Sequence, residues 1–440
     1  MKKIFVLLIC MTFVFGDYLL KPSHREKSKI DYMPKNKVAD MYKIPQDPKF
    51  YANQIIPYTK DEVYENFKRY QQLYFMPWTL YQVDIPKEDF GWEVRFVTKK
   101  KIYKENGKVI PSYVYKKWIE NEQMDKVDSV GAYGITIRHT DVKAFPTSQA
   151  FYLNPKKVGE GFPFDYNQNS SLHINVPLYI SHYSKDHRWA FVRASYSFGW
   201  VKVQDIALVD RSFIRKFKVG VYAMSIKDNL RLYDEKNHPV TIVKLGALFP
   251  YHIVQNRYYV ATKGYMGKAK LKVLKPTVKG IIAKAPLPFT PENVTKIARE
   301  FYGEPYGWGG GYECRDCSAT TRDFMGVFGV FLHRNSSKQA KDGEQILIKG
   351  LPKDSKKRAI IDNAKPFRSL LYVPGHIVLY LGRYKSEPVI MHTYWGIRKT
   401  DGSKIITART IVTSTEPGHE RKDVREGSKL INTLKYIVNF

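Results

Sequence analysis

Cysteine is scarce in this 440-residue chain, with three in all: Cys10, Cys314 and Cys317. A fold stapled by several disulfides is therefore excluded. Acidic residues are few as well, 42 against 72 Lys and Arg, for a formal net charge of +30. The basic residues are scattered along the whole chain rather than gathered in a stripe, and no nucleic-acid motif accompanies them. Nucleic acid is thus not the expected partner, and an anionic wall polymer or membrane surface fits the charge better. Beyond Gly16 no apolar run approaches the roughly 20 residues of a spanning helix. His182, His187 and His419 lack metal-ligand spacing, so no metal and no cofactor is expected.

What is present is an ordinary globular composition, 43% apolar and 14% aromatic. The length predicts two to four domains of about 100 to 200 residues. Met1-Lys2-Lys3 followed by Ile4 to Phe15 has the charged start and short apolar run of a secretory signal peptide (1–16). Export to the periplasm or cell wall is the expectation, leaving Cys314 and Cys317 in the mature chain.

Residues 17–130 read as an arm to about Tyr58 followed by a partly helical region. There Thr59 and Glu62 form a capping box, and Val63, Phe67, Tyr70 and Tyr74 share one face until Pro77. Between about Gly131 and Leu274 short apolar runs alternate with turn residues: Gly134 to Ile137, Pro177 to His182, Trp189 to Val192, Gly199 to Val203, Val240 to Val243 and Tyr258 to Ala261. That spacing predicts small β-barrels. Two units repeat a theme. Trp189 to Arg193 leads to Gly199-Trp200-Val201, and Arg257 to Ala261 leads to Gly264-Tyr265-Met266-Gly267. Each resembles the end of a bacterial SH3-like barrel, which places one barrel at 131–211 and a second at 212–284. Ala285-Pro286-Leu287-Pro288 reads as a linker. Thr290-Pro291-Glu292 then opens a helix whose apolar face is Val294, Ile297, Ala298 and Phe301, closed by Gly303.

The chemistry is concentrated in Tyr306-Gly-Trp308-Gly-Gly-Gly-Tyr-Glu-Cys314-Arg315-Asp316-Cys317-Ser318. The glycine-rich loop has no Lys-Ser/Thr phosphate signature. It runs into Thr320 to Phe331, a stretch able to form a helix. Cys317 would lie at that helix's N-terminus, where unpaired N–H groups and the dipole lower a thiol's pKa. A nucleophile also needs a proton carrier. His376 begins the strand-like run Pro374 to Gly382, and His392 ends the next, Val389 to His392. In an antiparallel hairpin the two imidazoles approach, so His392 can orient His376.

Tyr-Gly-Trp-Gly-Gly, Arg-Asp-Cys-Ser, Gly-His-Ile-Val-Leu-Tyr-Leu-Gly and Met-His-Thr-Tyr resemble the NlpC-type cell-wall peptidases, a papain-like family, over roughly residues 285–440. The resemblance implies a multidomain chain with a papain-like α+β cysteine peptidase domain preceded by two SH3-like barrels. It also implies a Cys317-His376-His392 triad and oxyanion help from Tyr306. Asp316 and Ser318, with Arg315 and Trp308 beside them, would grip a peptidoglycan stem peptide or muropeptide, Asp316 pairing with a free amine. The bond cut would be γ-D-glutamyl to diamino acid, usually meso-diaminopimelate. Arg334-Asn335-Ser336 and Gln339 resemble a family segment beyond the catalytic helix. Two alternatives stand beside this expectation: a thiol-disulfide oxidoreductase using Cys314 and Cys317, and a wall-binding protein without catalysis.

Overall fold

The structure is a computed structural model and describes residue 33 and residues 35–275 and 281–440. The leader-like segment, Cys10 and the start of the arm lie outside the described residues. No helix among the described residues is long and apolar enough to cross a membrane.

Residues 35–58 are not a free arm. They carry only two helical turns, Asp40–Lys43 and Lys49–Ala52, yet they are bound to the C-terminal domain. Asp40 accepts hydrogen bonds from the Ser414 N–H and hydroxyl at 2.8 and 2.7 Å, and Gln46 donates to the Val412 carbonyl. Tyr51 is wholly buried in the C-terminal core. Sequence patterning misses this because the segment supplies individual side chains to another domain's surface rather than a periodic face.

Helix α1 (Lys60–Phe75) begins at the capping box, with Thr59 accepting from the Glu62 N–H and Glu62 accepting from the Thr59 N–H. Tyr70, Tyr74 and Phe75 are buried, and the Tyr74 hydroxyl donates to the Asn175 carbonyl. Two shorter helices follow, α2 (Trp92–Lys99) and α3 (Ser112–Glu122).

The first β unit contains β1 (Ala132–Thr136), β2 (Thr140–Lys143), β3 (Gln168–Leu172), β4 (Pro177–Tyr183), β5 (Trp189–Ala194), β6 (Phe198–Lys202) and β7 (Ile206–Leu208), in the order β3-β2-β6-β5-β4-β1-β7. After helix α4 (Arg211–Phe217), a second unit is built from β8 (Tyr222–Ser225), β9 (Leu230–Tyr233), β10 (Pro239–Val243), β11 (Leu248–His252), β12 (Arg257–Lys263), β13 (Ala269–Leu274) and β14 (Ile282–Lys284). It forms a five-stranded sheet, β13-β12-β11-β8-β14, and the ribbon β10-β9. All six apolar runs expected to be extended lie on strands. The two Gly-aromatic motifs differ: Gly199-Trp200-Val201 lies within β6, whereas Gly264 to Gly267 forms the turn between β12 and β13. The expected linker is packed rather than free, with Ala285 and Leu287 buried.

In the C-terminal domain, α5 (Pro291–Phe301) is capped by Thr290, and its Val294, Ile297, Ala298 and Phe301 are buried, with Gly303 at φ +78° just beyond its end. Helix α6 (Cys317–Val327) and helix α7 (Lys353–Asn363) pack on an antiparallel sheet of β15 (Glu344–Leu347), β16 (Ser369–Val373), β17 (His376–Tyr384), β18 (Glu387–Arg398), β19 (Lys404–Ser414) and β20 (Tyr436–Asn439), in the order β15-β20-β16-β17-β18-β19. The period of two along β17 divides its residues between two cores. Ile377, Leu379 and Leu381 join Phe324, Met325 and Phe328 of the α6 side, while Val378 and Tyr380 join Ile360 of α7. Because both faces are covered, β17 reads as a continuous apolar run.

Candidate active site

Cys317 is the first residue of α6, and Asp316 is its N-cap, accepting from the Ala319 N–H at 2.9 Å. The loop before it owes its path to glycine. Gly309 and Gly310 sit at φ +62° and +81°, and a Cβ on either would run into β3, at the Gln168 carbonyl and the Ser171 hydroxyl respectively. Their bare backbone lets the nucleophile loop lie flat on the first β unit.

A cleft of about 480 Å³ opens in front of Cys317. Tyr306, Trp308, Asp316, Ser318, Arg334 and Gly375 line it from the C-terminal domain, Tyr166, Gln168 and Tyr196 from the first β unit, and Asp84, Asp89 and Trp92 from the N-terminal region. Trp308 meets Phe164 edge-on at 5.2 Å, forming an aromatic wall.

The Cys317 thiol is half-buried and faces the backbone N–H groups of Ile377 and Ser318. It therefore sits at the head of β17, next to His376. Burial, followed by the adjacent Asp316 carboxylate, pushes the thiol up to about 12. Burial pushes His376 down to about 4 and holds His392 well below the usual imidazole value. The helix N-terminus alone had predicted a thiolate; desolvation and Asp316 outweigh it here, so thiol and imidazole rest neutral.

His376 Nε2 lies 3.1 Å from His392 Nδ1, and His392 Nε2 lies 3.1 Å from Thr413 Oγ1. The Thr413 hydroxyl has a single proton and donates it to the Ser414 carbonyl at 2.8 Å. It must then accept from His392 Nε2–H, which leaves His392 Nδ1 to accept from His376 Nε2–H. This assignment leaves His376 Nδ1 with an open lone pair, which can accept a proton. Tyr394 stacks on His392 at 4.6 Å and fixes its plane. Thr413 was not foreseen, because its distance from His392 along the chain is closed only by the β18–β19 pairing.

Tyr306 is buried, and burial followed by the charges of Asp316 and Cys317 raises its pKa, so its hydroxyl keeps its proton beside the nucleophile. Asp316 and Ser318 line the cleft, but their polar atoms are already used. Arg334 Nη1 and Nη2 reach the Asp316 carboxylate at 3.0 and 2.7 Å, and Gly309 N–H and Ser318 Oγ also donate to it. Burial raises the Asp316 pKa, yet Arg334 and the donors prevail and lower it. The Asp316 carboxylate, expected to meet the free amine of a substrate, is thus already paired with Arg334 within the protein. Arg334 also donates to the hydroxyls of Ser318 and of Ser170 on β3.

Arg315 requires a larger correction. It lies outside the cleft, buried, with its guanidinium on Asp228, Glu304 and Asp323 at 2.8, 2.9 and 2.6 Å. It links the second β unit to the C-terminal domain. Gln339 is also inside the fold, donating to the Ser318 and His333 carbonyls and so bracing the first turn of α6. Cys314 and Cys317 are both free thiols that pack into different clusters.

Comparison with known proteins bears on the fold that carries this site. Residues 6–126 match the N-terminal stabilising domain of NLPC_P60 proteins, and residues 150–202 match an SH3 domain of SH3b1 type. An NlpC/P60 endopeptidase from Photobacterium damselae subsp. piscicida superposes with a TM-score of 0.81 at 22% identity, over 92% of this chain and 99% of that one. An NlpC/P60 family protein from Bacillus cereus ATCC 10987 aligns over 70% of this chain and 99% of its own, at 12% identity and a TM-score of 0.46. No curated protein matches the chain. The chain is multidomain, contains a bacterial SH3 domain and has the NlpC/P60 fold.

Proposed function

We propose that the protein is a peptidoglycan hydrolase that cuts the stem peptide through a Cys317-His376-His392 triad, at the γ-D-glutamyl to diamino acid bond. The observation that carries this reading is the ordered hydrogen-bond chain from Thr413 through His392 to His376, ending in an open lone pair on the residue that precedes Ile377, whose backbone N–H the Cys317 thiol faces. His376 takes the thiol proton as sulfur attacks the carbonyl and returns it to the departing amine; water then releases the acyl group. Tyr306 O–H and backbone N–H groups at the start of α6 supply donors for the oxyanion. Trp308 and the first β unit enclose the stem peptide. We read the second β unit as a further SH3-like barrel and residues 1–16 as an export signal to the periplasm or wall, where the basic surface meets anionic polymer.

The thiol-disulfide alternative is disfavoured by the place of Cys314, which does not line the cleft that Cys317 faces and packs instead with Phe162, Tyr312 and Trp395. A purely wall-binding role leaves the proton relay without a purpose. The test is to incubate the mature protein and its Cys317→Ala variant with muropeptides bearing L-Ala-γ-D-Glu-diaminopimelate stems, reading products by mass. Cleavage between Glu and the diamino acid that vanishes in the variant is the expected result. Intact stems with folded, reduced protein would rule the proposal out.

A further inference from the structure

The N-terminal arm meets the C-terminal domain at a group of side chains that hydrolysis does not use. Asp40 lies in the helical turn Asp40–Lys43 and its side chain is 1% exposed, while His419 and Glu420 lie in the loop after β19 with side chains 48% and 27% exposed. Asp40 Oδ2 is taken by the N–H and hydroxyl of Ser414. Oδ1 is turned to His419 Nδ1 at 3.4 Å, and the same nitrogen lies 3.9 Å from Glu420 Oε2. A charge-assisted N–H···O bond would close to about 2.7–2.9 Å, so neither contact is a good ion pair. Donor atoms about 2.0–2.2 Å from a tetrahedral zinc ion are themselves roughly 3.3–3.6 Å apart. The three donor atoms lie within 4.8 Å of one another, so a small closure of the loop brings them onto one ion.

We propose that Asp40, His419 and Glu420 bind a divalent cation of the zinc type, which staples the arm to the C-terminal domain. The donor set of one imidazole and two carboxylates suits zinc. A 2+ ion would also neutralise a buried carboxylate whose hydrogen-bond donors, both from Ser414, are uncharged. The outer contacts needed to orient the ligands are in place: Ser414 fixes Asp40, and the Ala39 N–H donates to Glu420 Oε1 at 2.8 Å. Exposed His419 and Glu420 leave the ion a path from solvent. Ser414 follows Thr413, so the staple would hold the strand end from which His392 is oriented. The sequence gives no hint of this site, because its buried ligand lies at the opposite end of the described chain from the other two.

The test uses full-length, tag-free protein carrying Cys317→Ala, since a thiol with two imidazoles is itself a zinc-binding set. The protein is stripped with chelator and titrated with zinc chloride by calorimetry. One zinc per chain is expected, with affinity falling at least tenfold when His419→Ala or Glu420→Gln is added, and with a melting temperature that rises on zinc addition only while His419 is present. Both added substitutions are at solvent-accessible side chains, so the fold survives them. No binding, or binding indifferent to both substitutions, overturns the proposal. Because the nucleophile is absent throughout, neither outcome depends on hydrolysis.

Discussion

At the scale of single residues, the proton positions along Thr413, His392 and His376 make the base half of the site unusually explicit. Thr413→Val keeps the volume but removes the acceptor for His392 Nε2–H, so the imidazole loses its fixed orientation. The buried N–H left unpaired costs about 1–3 kcal/mol of stability, read as a lower melting temperature, and kcat of the folded protein falls roughly tenfold; Thr413→Ser restores both. Steady-state kinetics on a muropeptide substrate checks this. The pH profile follows from the neutral resting pair. In the proposed reaction His376 must be unprotonated to accept the thiol proton, and its pKa is held down to about 4. Hence kcat/KM stays flat from about pH 5 to 8 and falls as pH drops through about 4. Cys317, pushed up to about 12, adds no alkaline limb below about pH 9. A limb near 6.5 would instead mean an imidazole exposed to water.

At the scale of elements, the nucleophile loop depends on its contact with β3. Gly309→Ala puts a Cβ into the Gln168 carbonyl at a left-handed φ of +62°. The expected loss is about 2–4 kcal/mol, with reduced activity as the loop lifts from the first β unit. Gly350→Ala is the control: its φ is +87° but nothing lies within 4 Å, so only the backbone penalty of about 1 kcal/mol applies. Urea unfolding of both variants separates contact from conformation. At this scale much was legible in the sequence. The capping box of α1, the apolar face of α5 and six strands all come from local periodicity and turn chemistry. The pairing of β17 with β18 also follows from two apolar runs separated by a short turn.

At the scale of the whole molecule, a buried charge cluster joins the second β unit to the C-terminal domain. Arg315 sits among Asp228, Glu304 and Asp323, with Lys244 bonded to Asp228 at 2.6 Å. Arg315→Ala leaves buried carboxylates uncompensated, for a loss of about 3–5 kcal/mol read as a lower urea midpoint. Activity per folded molecule changes little by comparison, because the guanidinium does not reach the cleft. A selective rise in KM without loss of stability would return Arg315 to substrate binding.

The nucleophile and histidine candidates, the strand-rich middle and the helix starts can be read without a structure, because each is written in neighbouring residues a few positions apart. Whether a polar group faces substrate or is spent inside the fold was decided only by tertiary structure. Arg315 and Asp316 stand next to each other beside Cys317, yet one is buried against the second β unit and the other is neutralised by Arg334. Thr413 and Asp40 carry no local signal at all. Their significance depends on strand register and on the docking of the arm, which are long-range contacts that no short sequence window contains.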